Sequence, residues 1–304
     1  MFAQAYSRLE KKLIRSIYKE SGLRVDKVPN LAILYARDGQ EGQIQLDFHP
    51  GDSTVLDLDK LVSIGDLSQF WTAQQIMALV KDGQIKLSDD INSYLPSNYQ
   101  NPTTTSIESL LIHYSGLPKI PTNFGAYEKD PVHPYRFYPD TALLEFFHSF
   151  SLLQAGQYKY STVDYALLQY LLAQKGIHPP KAQGKSNQGY KEGHPIAPIS
   201  YYQFTCAKGL QMTPNQLFNY LQAQKDETGS YPIFATGLQK NTYSSYGFHV
   251  TKFHKNEVAI LKSATNGFTL LAAFDRHKNR TLLIIADAQD YTGYLFAATS
   301  WFFR

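Results

Sequence analysis

The stretch VSIGDLSQFWTAQQIMALVKDG, residues 62–83, decides the fold of this chain. Its apolar residues recur with the period of an α-helix. They are Leu67, Phe70, Ile76, Met77 and Val80. Gly83 ends the pattern, as expected of a residue that follows a helix. The stretch therefore predicts a central, buried helix that starts at Leu67, with the charged Asp66 directly before it.

The residues before this helix predict a second helix and a hairpin. Residues 5–22 place an apolar face on an amphipathic helix, and Gly22 is a good C-terminal cap. That face consists of Leu9, Leu13, Ile14 and Ile17. Residues 30–48 have strand character on both sides of a turn that contains glycine. A helix that needs a sheet to cover is thus followed by two strands.

Residues 84–225 have a mainly helical character, with helices expected at 140–149, 162–175 and 213–224. Thr105 and Glu108 have the spacing of a capping box ahead of an apolar run. Thr213 followed by Pro214 is a strong signal for a helix start. Both pairs predict N-termini of helices in this part of the chain.

The C-terminal third changes to four successive strand patterns and a final aromatic-rich helix. The whole predicts an α+β fold, with an antiparallel sheet flanked by N- and C-terminal helices and a mainly helical lobe. We expect one unit over 1–304, with a sheet lobe of about 1–65 and 226–304 and a helical lobe of about 66–225. Residues 177–200 are rich in Pro, Gly, Lys and Gln and predict an irregular surface excursion, either a solvated insertion or a loop that shapes a binding site.

Composition narrows the class of protein. With 43% hydrophobic and 18% charged residues the chain is globular rather than disordered. The densest basic cluster, RLEKKLIR, lies on a helical pattern and predicts a solvated helix face, so we expect no nucleic acid partner. One cysteine excludes an internal disulfide, and the nine histidines form no metal-binding pair, so no metal or cofactor is expected. No transmembrane run or signal peptide is recognisable, which predicts a soluble chain.

Five stretches, taken in order, resemble the serine β-lactamase and penicillin-binding-protein superfamily, in the branch of class C β-lactamases, DD-peptidases and related esterases. The resemblance covers nearly the whole chain. The stretches are VPNLAILYARDG, IGDLSQFWTAQQIMALVKDGQIKLSDDINSYLP, SIESLLIHYSGLP, YSTVDYALLQYLL and AKGLQMTPNQLFNYL. The second is similar to the family's nucleophile helix, and the third to its Leu-Leu-x-His-x-Ser-Gly-Leu-Pro signature.

The resemblance implies a serine nucleophile and, one turn later, a lysine that activates it. In this chain Asp66 stands at the serine position and Gln69 at the lysine position. Glutamine cannot take a proton as lysine does. Attack by Asp66 on an ester or amide carbonyl would give an anhydride, without a lysine to assist. Alternatively, Asp66 is simply the N-cap of its helix.

Two further clusters follow from the resemblance. Tyr160 is retained, whereas Thr162 replaces the family's asparagine. Lys262 and Ser263 can be aligned with the family's Lys-Thr-Gly if a one-residue deletion is allowed. Without the deletion, Leu261 stands where a relative has histidine. The alternative interpretation is that Lys262 is an ordinary edge-strand lysine. As a general base, Tyr160 would need a pKa far below about 10.

The six positions Asp66, Gln69, Tyr160, Thr162, Lys262 and Ser263 are the candidates for a ligand-binding cleft, and none is assigned a catalytic role. If Asp66 and Lys262 are close, we expect an internal ion pair or a receptor for neutral or cationic groups. A relocated serine nucleophile is disfavoured. Ser68 turns about 200° from the cleft face, Ser63 precedes the helix, and Ser115 fits a local turn hydrogen bond.

The leading functional hypothesis is a pseudoenzyme that binds a cell-wall-derived small molecule or peptide, or a protein partner. The alternatives are a hydrolase with altered chemistry that uses Asp66, Tyr160 and Lys262, and a structural or regulatory module with a vestigial cleft. The resemblance favours a location outside the cytoplasmic membrane, with a signal or anchor trimmed from the chain. The visible N-terminus favours the cytoplasm instead. The sequence predicts no oligomeric state.

Overall fold

The structure is a computed structural model that describes residues 6–21, 29–47, 55–152, 155–238, 240–253, 255–289 and 292–303. The helices are α1 Arg8–Ser21, α2 Ser68–Lys81, α3 Ile107–Leu111, α4 Asp140–Ser149, α5 Thr162–Gln174, α6 Pro214–Thr228 and α7 Thr292–Phe302. The strands are β1 Leu31–Arg37, β2 Gln40–Leu46, β3 Val62–Ser63, β4 Gly189–Lys191, β5 His194–Ile196, β6 Gln211–Met212, β7 Phe234–Ala235, β8 Thr242–Ser245, β9 Phe248–Phe253, β10 Asn256–Thr265, β11 Phe268–Asp275 and β12 Arg280–Ala286.

Eight strands form one sheet in the order β2-β1-β12-β11-β10-β9-β8-β7. The ladders between β1 and β12, and between β10 and β11, are antiparallel. The N-terminal hairpin is joined to the C-terminal strands by the pairing of Ile33 with Ile284. The predicted α+β class, an antiparallel sheet with flanking terminal helices and a mainly helical region, is confirmed.

The sheet separates two hydrophobic cores. On one face α1 and α7 pack together and bury residues such as Leu13, Ile284 and Phe302. On the other face α2, α5 and their neighbours form the larger core, to which the sheet contributes residues such as Leu283. Strands β11 and β12 are almost entirely buried, because helices cover both of their faces.

Helix caps decide where the helical elements begin. The predicted helix start at Thr213 and Pro214 is confirmed, and a capping box forms it: the Thr213 hydroxyl accepts from Gln216 N–H, and Gln216 Oε1 accepts from Thr213 N–H. The predicted box at Thr105 is wrong by one residue. The N-cap of α3 is Ser106, whose hydroxyl accepts from Ser109 N–H at 3.1 Å. Thr105 instead precedes the cap and is buried.

The segment 177–200 is not wholly irregular. It contains the small hairpin of β4 and β5, and Tyr190 N–H donates to Gly267 O at 3.0 Å. Gly189 is needed there, since a Cβ atom would lie 2.4 Å from Asn266 O. Residues 178–186 before the hairpin are largely exposed. The hairpin of β4 and β5, in the middle of the segment 177–200, is thus attached to the end of the main sheet.

Strand β10 diverges from β9 halfway along its length. Its ladder with β9 runs from Asn256 to Ile260, which pairs with His249. Beyond that point, in the part of the chain that the structure describes, Leu261–Thr265 is paired through β11 alone. The single-turn 3₁₀ helix Gly65–Leu67 packs against this part of β10. The gap between β9 and β10 is where the candidate site lies.

Candidate functional site

A left-handed glycine brings position 66 against the sheet. Gly65 has φ +53°, and a Cβ there would lie 2.0 Å from Ser263 Oγ and 2.5 Å from Thr265 Cγ2. This close approach lets Asp66 N–H donate to Ser263 Oγ at 3.1 Å. A backbone N–H beside a reacting carbonyl serves as an oxyanion donor in acyl transfer. In this protein the Asp66 N–H is already hydrogen-bonded to the Ser263 hydroxyl.

The carboxylate of Asp66 is held by a lysine that the sequence analysis did not select. Lys208 Nζ lies 3.3 Å from Asp66 Oδ1, and both side chains are partly exposed. Lys208 belongs to the single π-helical turn Thr205–Gly209, which packs against α2 and α5. Asp66 does not cap α2 either: the N-cap is Leu67, without a side-chain bond. Both expectations for Asp66, as an N-cap and as a partner of Lys262, are corrected.

Gln69 links two aromatic side chains. Its Nε2 donates to the Tyr160 hydroxyl at 2.9 Å, and its Oε1 lies 3.3 Å from His113 Nε2. The Tyr160 and His113 rings are 4.8 Å apart. Gln69 is nearly buried, at 5% exposure. A neutral amide therefore occupies the place where the resemblance implies a lysine, and it fixes Tyr160 by hydrogen bonding.

The chain of contacts continues into the core through His113 and Asp164. His113 Nδ1 lies 2.8 Å from Asp164 Oδ2, and Ser115 donates to Asp164 Oδ1 at 2.5 Å. Ser161 N–H points at the same His113 Nδ1, at 3.3 Å. Burial raises the pKa of Asp164, although the hydrogen bond and charge of His113 oppose this.

One arrangement of protons gives every hydrogen bond between Asp164, His113, Gln69 and Tyr160 a donor and an acceptor. A protonated Asp164 donates to His113 Nδ1, and the His113 Nε2–H donates to Gln69 Oε1. Gln69 then donates to Tyr160. These four side chains carry no net charge in this arrangement, which avoids the cost of burying an unpaired ion.

Tyr160 retains its own proton. Burial raises its pKa well above 10, and the negative charge of Asp66 raises it further. The hydroxyl accepts from Gln69 and keeps its hydrogen to donate. Tyr160 is therefore a hydrogen-bond donor at the edge of the site and is unsuited to act as a base near neutral pH.

Lys262 faces the terminal helices. Side chains alternate along a strand, so Lys262 shares a face with Val258 and Ile260, which belong to the core beneath α7. Its ammonium lies 4.0 Å from the ring centroid of Phe296. Burial lowers its pKa. The structure thus does not bring Lys262 to Asp66, and Ser263, on the opposite face, is the β10 residue that reaches position 66.

Thr162 is also placed away from the cleft. Its hydroxyl donates to Lys119 O beneath the start of α5. The three serines considered as substitutes are all used inside the fold. Ser68 accepts from Leu210 N–H, Ser63 accepts from Asn266, and Ser115 accepts from Leu117 N–H. The local turn bond expected of Ser115 is present, together with its bond to Asp164.

A cavity of about 670 Å³ opens at the gap between β9 and β10. Its lining includes Asp66, Gln69, Tyr160, Lys262 and Phe296. Two serines in its wall donate to protein carbonyls, Ser244 to Ile112 and Ser245 to Pro232. Its size suits a small organic ligand.

His249, which also lines the cavity, is neutral near pH 7. Burial is the main cause that lowers its pKa to about 4, and the positive charge of Lys262 contributes. Its Nε2 lies 2.8 Å from the Tyr158 hydroxyl. Burial raises the pKa of Tyr158 to about 12, so that hydroxyl is the donor in this bond.

Within the described ranges, no group of three His, Cys, Asp or Glu side chains is placed to hold a metal ion. The same ranges contain no helix that is long and apolar enough to cross a bilayer.

Comparisons with known proteins agree with this fold. The family model described as Beta-lactamase matches residues 25–174. A class C β-lactamase from Rhodobacter sphaeroides has a TM-score of 0.77 and 14% identity, covering 97% of this chain and 98% of that one. A β-lactamase/D-alanine carboxypeptidase from Pseudomonas syringae has a TM-score of 0.75 and 13% identity, with 96% of each chain covered.

Among curated proteins, the D-alanyl-D-alanine-carboxypeptidase/endopeptidase AmpH of Escherichia coli K12 is 28% identical over 138 residues. That match covers 43% of this chain and 34% of the relative, so it spans about a third of the relative's length. The family model, the fold and this relative agree. These matches confirm the resemblance of the chain to the serine β-lactamase and penicillin-binding-protein-like superfamily.

Three residues of the site were missed by the sequence analysis. His113 and Asp164 lie in two of the stretches that carry the resemblance, so their joint presence there was an available signal. Lys208 lies in a third stretch, but nothing in its spacing predicts contact with Asp66. Only the packing of the π-helical turn against α2 places it there.

Proposed function

We propose that this chain is a non-acylating member of its superfamily that binds a cell-wall-related small molecule or peptide in the cavity beside Asp66. One observation carries the proposal. The position of the nucleophile holds a carboxylate that is ion-paired with Lys208, at 3.3 Å. A hydroxyl beside a lysine amine, as acylation requires, is replaced by Asp66 and the neutral Gln69.

The surroundings of Asp66 support the same conclusion. Its N–H donates to Ser263, so a substrate carbonyl would have to displace that hydroxyl to use it. Tyr160 keeps its proton because its pKa is raised, so it donates a hydrogen bond and is unsuited to act as a base. The cell-wall ligand class is supported by the AmpH relative, whose name describes a D-alanyl-D-alanine carboxypeptidase.

The first experiment tests acylation. The protein is incubated with a fluorescent penicillin and separated on a denaturing gel, beside an active penicillin-binding protein as positive control. We expect no labelled band from this chain. A labelled band that survives denaturation would overturn the proposal, and its loss in an Asp66→Asn variant would identify Asp66 as the acylated residue.

The second experiment tests ligand binding. Thermal unfolding is recorded with increasing diacetyl-L-lysyl-D-alanyl-D-alanine, and the same titration is made with Gln69→Leu, which removes the hydrogen bond to Tyr160. We expect the midpoint of the native protein to rise with ligand concentration, and to rise less in the variant. Unchanged midpoints at millimolar peptide would remove this peptide as a ligand.

A hydrolase with altered chemistry is the second candidate, and the partly exposed carboxylate of Asp66 beside the protonated Tyr160 is the observation that favours it. Its third expected member, Lys262, lies against Phe296 instead. Short p-nitrophenyl esters are the assay. Equal, negligible rates for the native protein and Asp66→Asn would remove this candidate, whereas a rate that falls at least tenfold in the variant would support it.

A further inference from the structure

The environment of Asp66 has the chemistry of a binding site for a cation. A carboxylate attracts a positive charge at about 3 Å, and the faces of tyrosine rings add a cation–π attraction. Asp66 provides the carboxylate, and Tyr160 lies next to it with a hydroxyl that keeps its proton. Two more rings, Tyr135 and Tyr201, lie near the same carboxylate.

Packing fixes these two rings close to position 66. The Tyr201 hydroxyl lies 2.8 Å from Thr265 Oγ1, and Thr265 is the residue against which Gly65 packs. The Tyr135 and Tyr201 rings are 5.0 Å apart and inclined by 31°. Tyr201 is thus held near position 66, with Tyr135 packed against it.

In this structure the Lys208 ammonium occupies the position next to the Asp66 carboxylate. Its ammonium lies 3.3 Å from Asp66 Oδ1. Its neighbour Gly209 packs on Tyr201, where a Cβ atom would lie only 2.7 Å from Tyr201 Cβ. The side chain therefore enters from the Tyr201 side as a primary ammonium on a flexible alkyl chain. With 21% of its side chain exposed, it can leave without opening the core.

We propose that Asp66, Tyr160 and the ring pair of Tyr135 and Tyr201 form a binding site for the primary ammonium group of a ligand, which the Lys208 ammonium occupies in this structure. The proposal rests on the proposed function in one respect: Asp66 binds and does not react. A ligand amine binds by displacing Lys208 from Asp66. The cavity beside Asp66 then accommodates the remainder of the ligand.

The test uses n-butylammonium as the probe, with choline as a quaternary ammonium and 3,3-dimethylbutan-1-ol as a neutral compound of similar shape to choline. Binding to the full chain is measured by isothermal titration calorimetry. We expect n-butylammonium to bind more tightly than choline, and the neutral alcohol to bind at least tenfold more weakly than choline. Equal affinities for choline and the alcohol would overturn the proposal, because a carboxylate distinguishes them by charge.

The decisive variant is Lys208→Met, which removes the competing ammonium and keeps the length of the chain. We expect the Kd of n-butylammonium to fall about fivefold, the change that corresponds to a partly exposed ion pair. Lys181→Met removes another exposed lysine and should leave the Kd unchanged. If Lys208→Met does not fold by circular dichroism, Lys208→Gln replaces it. A Kd in the folded variant equal to that of Lys181→Met would refute the competition.

Two further variants examine the rest of the site. Asp66→Asn should weaken n-butylammonium binding at least tenfold, since it removes the anion. Tyr201→Leu should weaken it about twofold to fivefold, whereas Tyr201→Phe, which keeps the ring, should restore most of the affinity. Retained binding in Asp66→Asn overturns the proposal. Labelling by penicillin would defeat the proposed function alone, because the amine titration is read independently of it.

Discussion

His249 makes the stability of the protein sensitive to mild acid. Its folded pKa is about 4, whereas an unfolded histidine titrates near 6.5. A depressed folded pKa stabilises the fold above pH 6.5, and that stability is lost as the pH falls toward 4, because the unfolded chain binds the proton more readily. Between pH 7.5 and pH 5 this difference removes about 2 kcal/mol of unfolding free energy.

The perturbation is His249→Gln, which removes the titration and leaves a side-chain oxygen to accept from Tyr158. Urea denaturation followed by circular dichroism at pH 7.5 and pH 5.0 gives the unfolding free energies. The native protein should lose about 2 kcal/mol more than His249→Gln between the two pH values. The exposed His194, changed to Gln, is the matched control and should lose as much as the native protein.

Other groups also titrate in this range, but they are common to the native protein and His249→Gln and cancel in that comparison. Equal losses for the native protein and His249→Gln, within the error of the extrapolation, would refute the reasoning. They would mean that His249 accepts its proton in the folded state as easily as in the unfolded chain, through opening of the cavity wall or rotation away from Tyr158 and Lys262.

Two further predictions concern packing. Gly65→Ala should lower the unfolding free energy by about 1–3 kcal/mol, because the added Cβ meets Ser263 Oγ and Thr265 Cγ2 at a positive φ. Adding Ser263→Gly to this variant should recover part of the loss. An unchanged urea midpoint in Gly65→Ala alone would contradict the close approach of position 65 to the sheet. Asp164→Ala should cost about 1–3 kcal/mol by removing the side-chain donor to His113 Nδ1 in the core, and Asp164→Asn less, since an amide can still donate to Nδ1. Equal urea midpoints for the two Asp164 variants would contradict the proton arrangement.

Local patterns were sufficient to predict the fold. The helical period around α2 depends only on which residues are apolar, and the structure begins that helix at Ser68, one residue from the prediction. The hairpin of β1 and β2 and the start of α6 at Thr213 follow from turn and capping chemistry, which acts over a few residues. Features of this kind are encoded where they occur in the chain.

The candidate site was predicted only in part, because its contacts join distant segments. The alignment of Lys262 used a one-residue gap, and one residue along a strand moves a side chain to the other face of the sheet. The β10 residue that contacts position 66 is Ser263, whose register relative to Asp66 is set by Gly65. The pairing of Asp66 with Lys208 depends on how a π-helical turn packs, which has no local pattern.

The pairing of β1 with β12 has a consequence for biosynthesis. Leu31 lies opposite Ala286 in the finished sheet, so β1 is synthesised long before its partner strand β12. Contacts of such long sequence separation slow folding. Until β12 has left the ribosome, the hairpin of β1 and β2 exposes an apolar edge that a chaperone could cover. We therefore expect the nascent chain to acquire protease resistance only after β12 has emerged, in a single step.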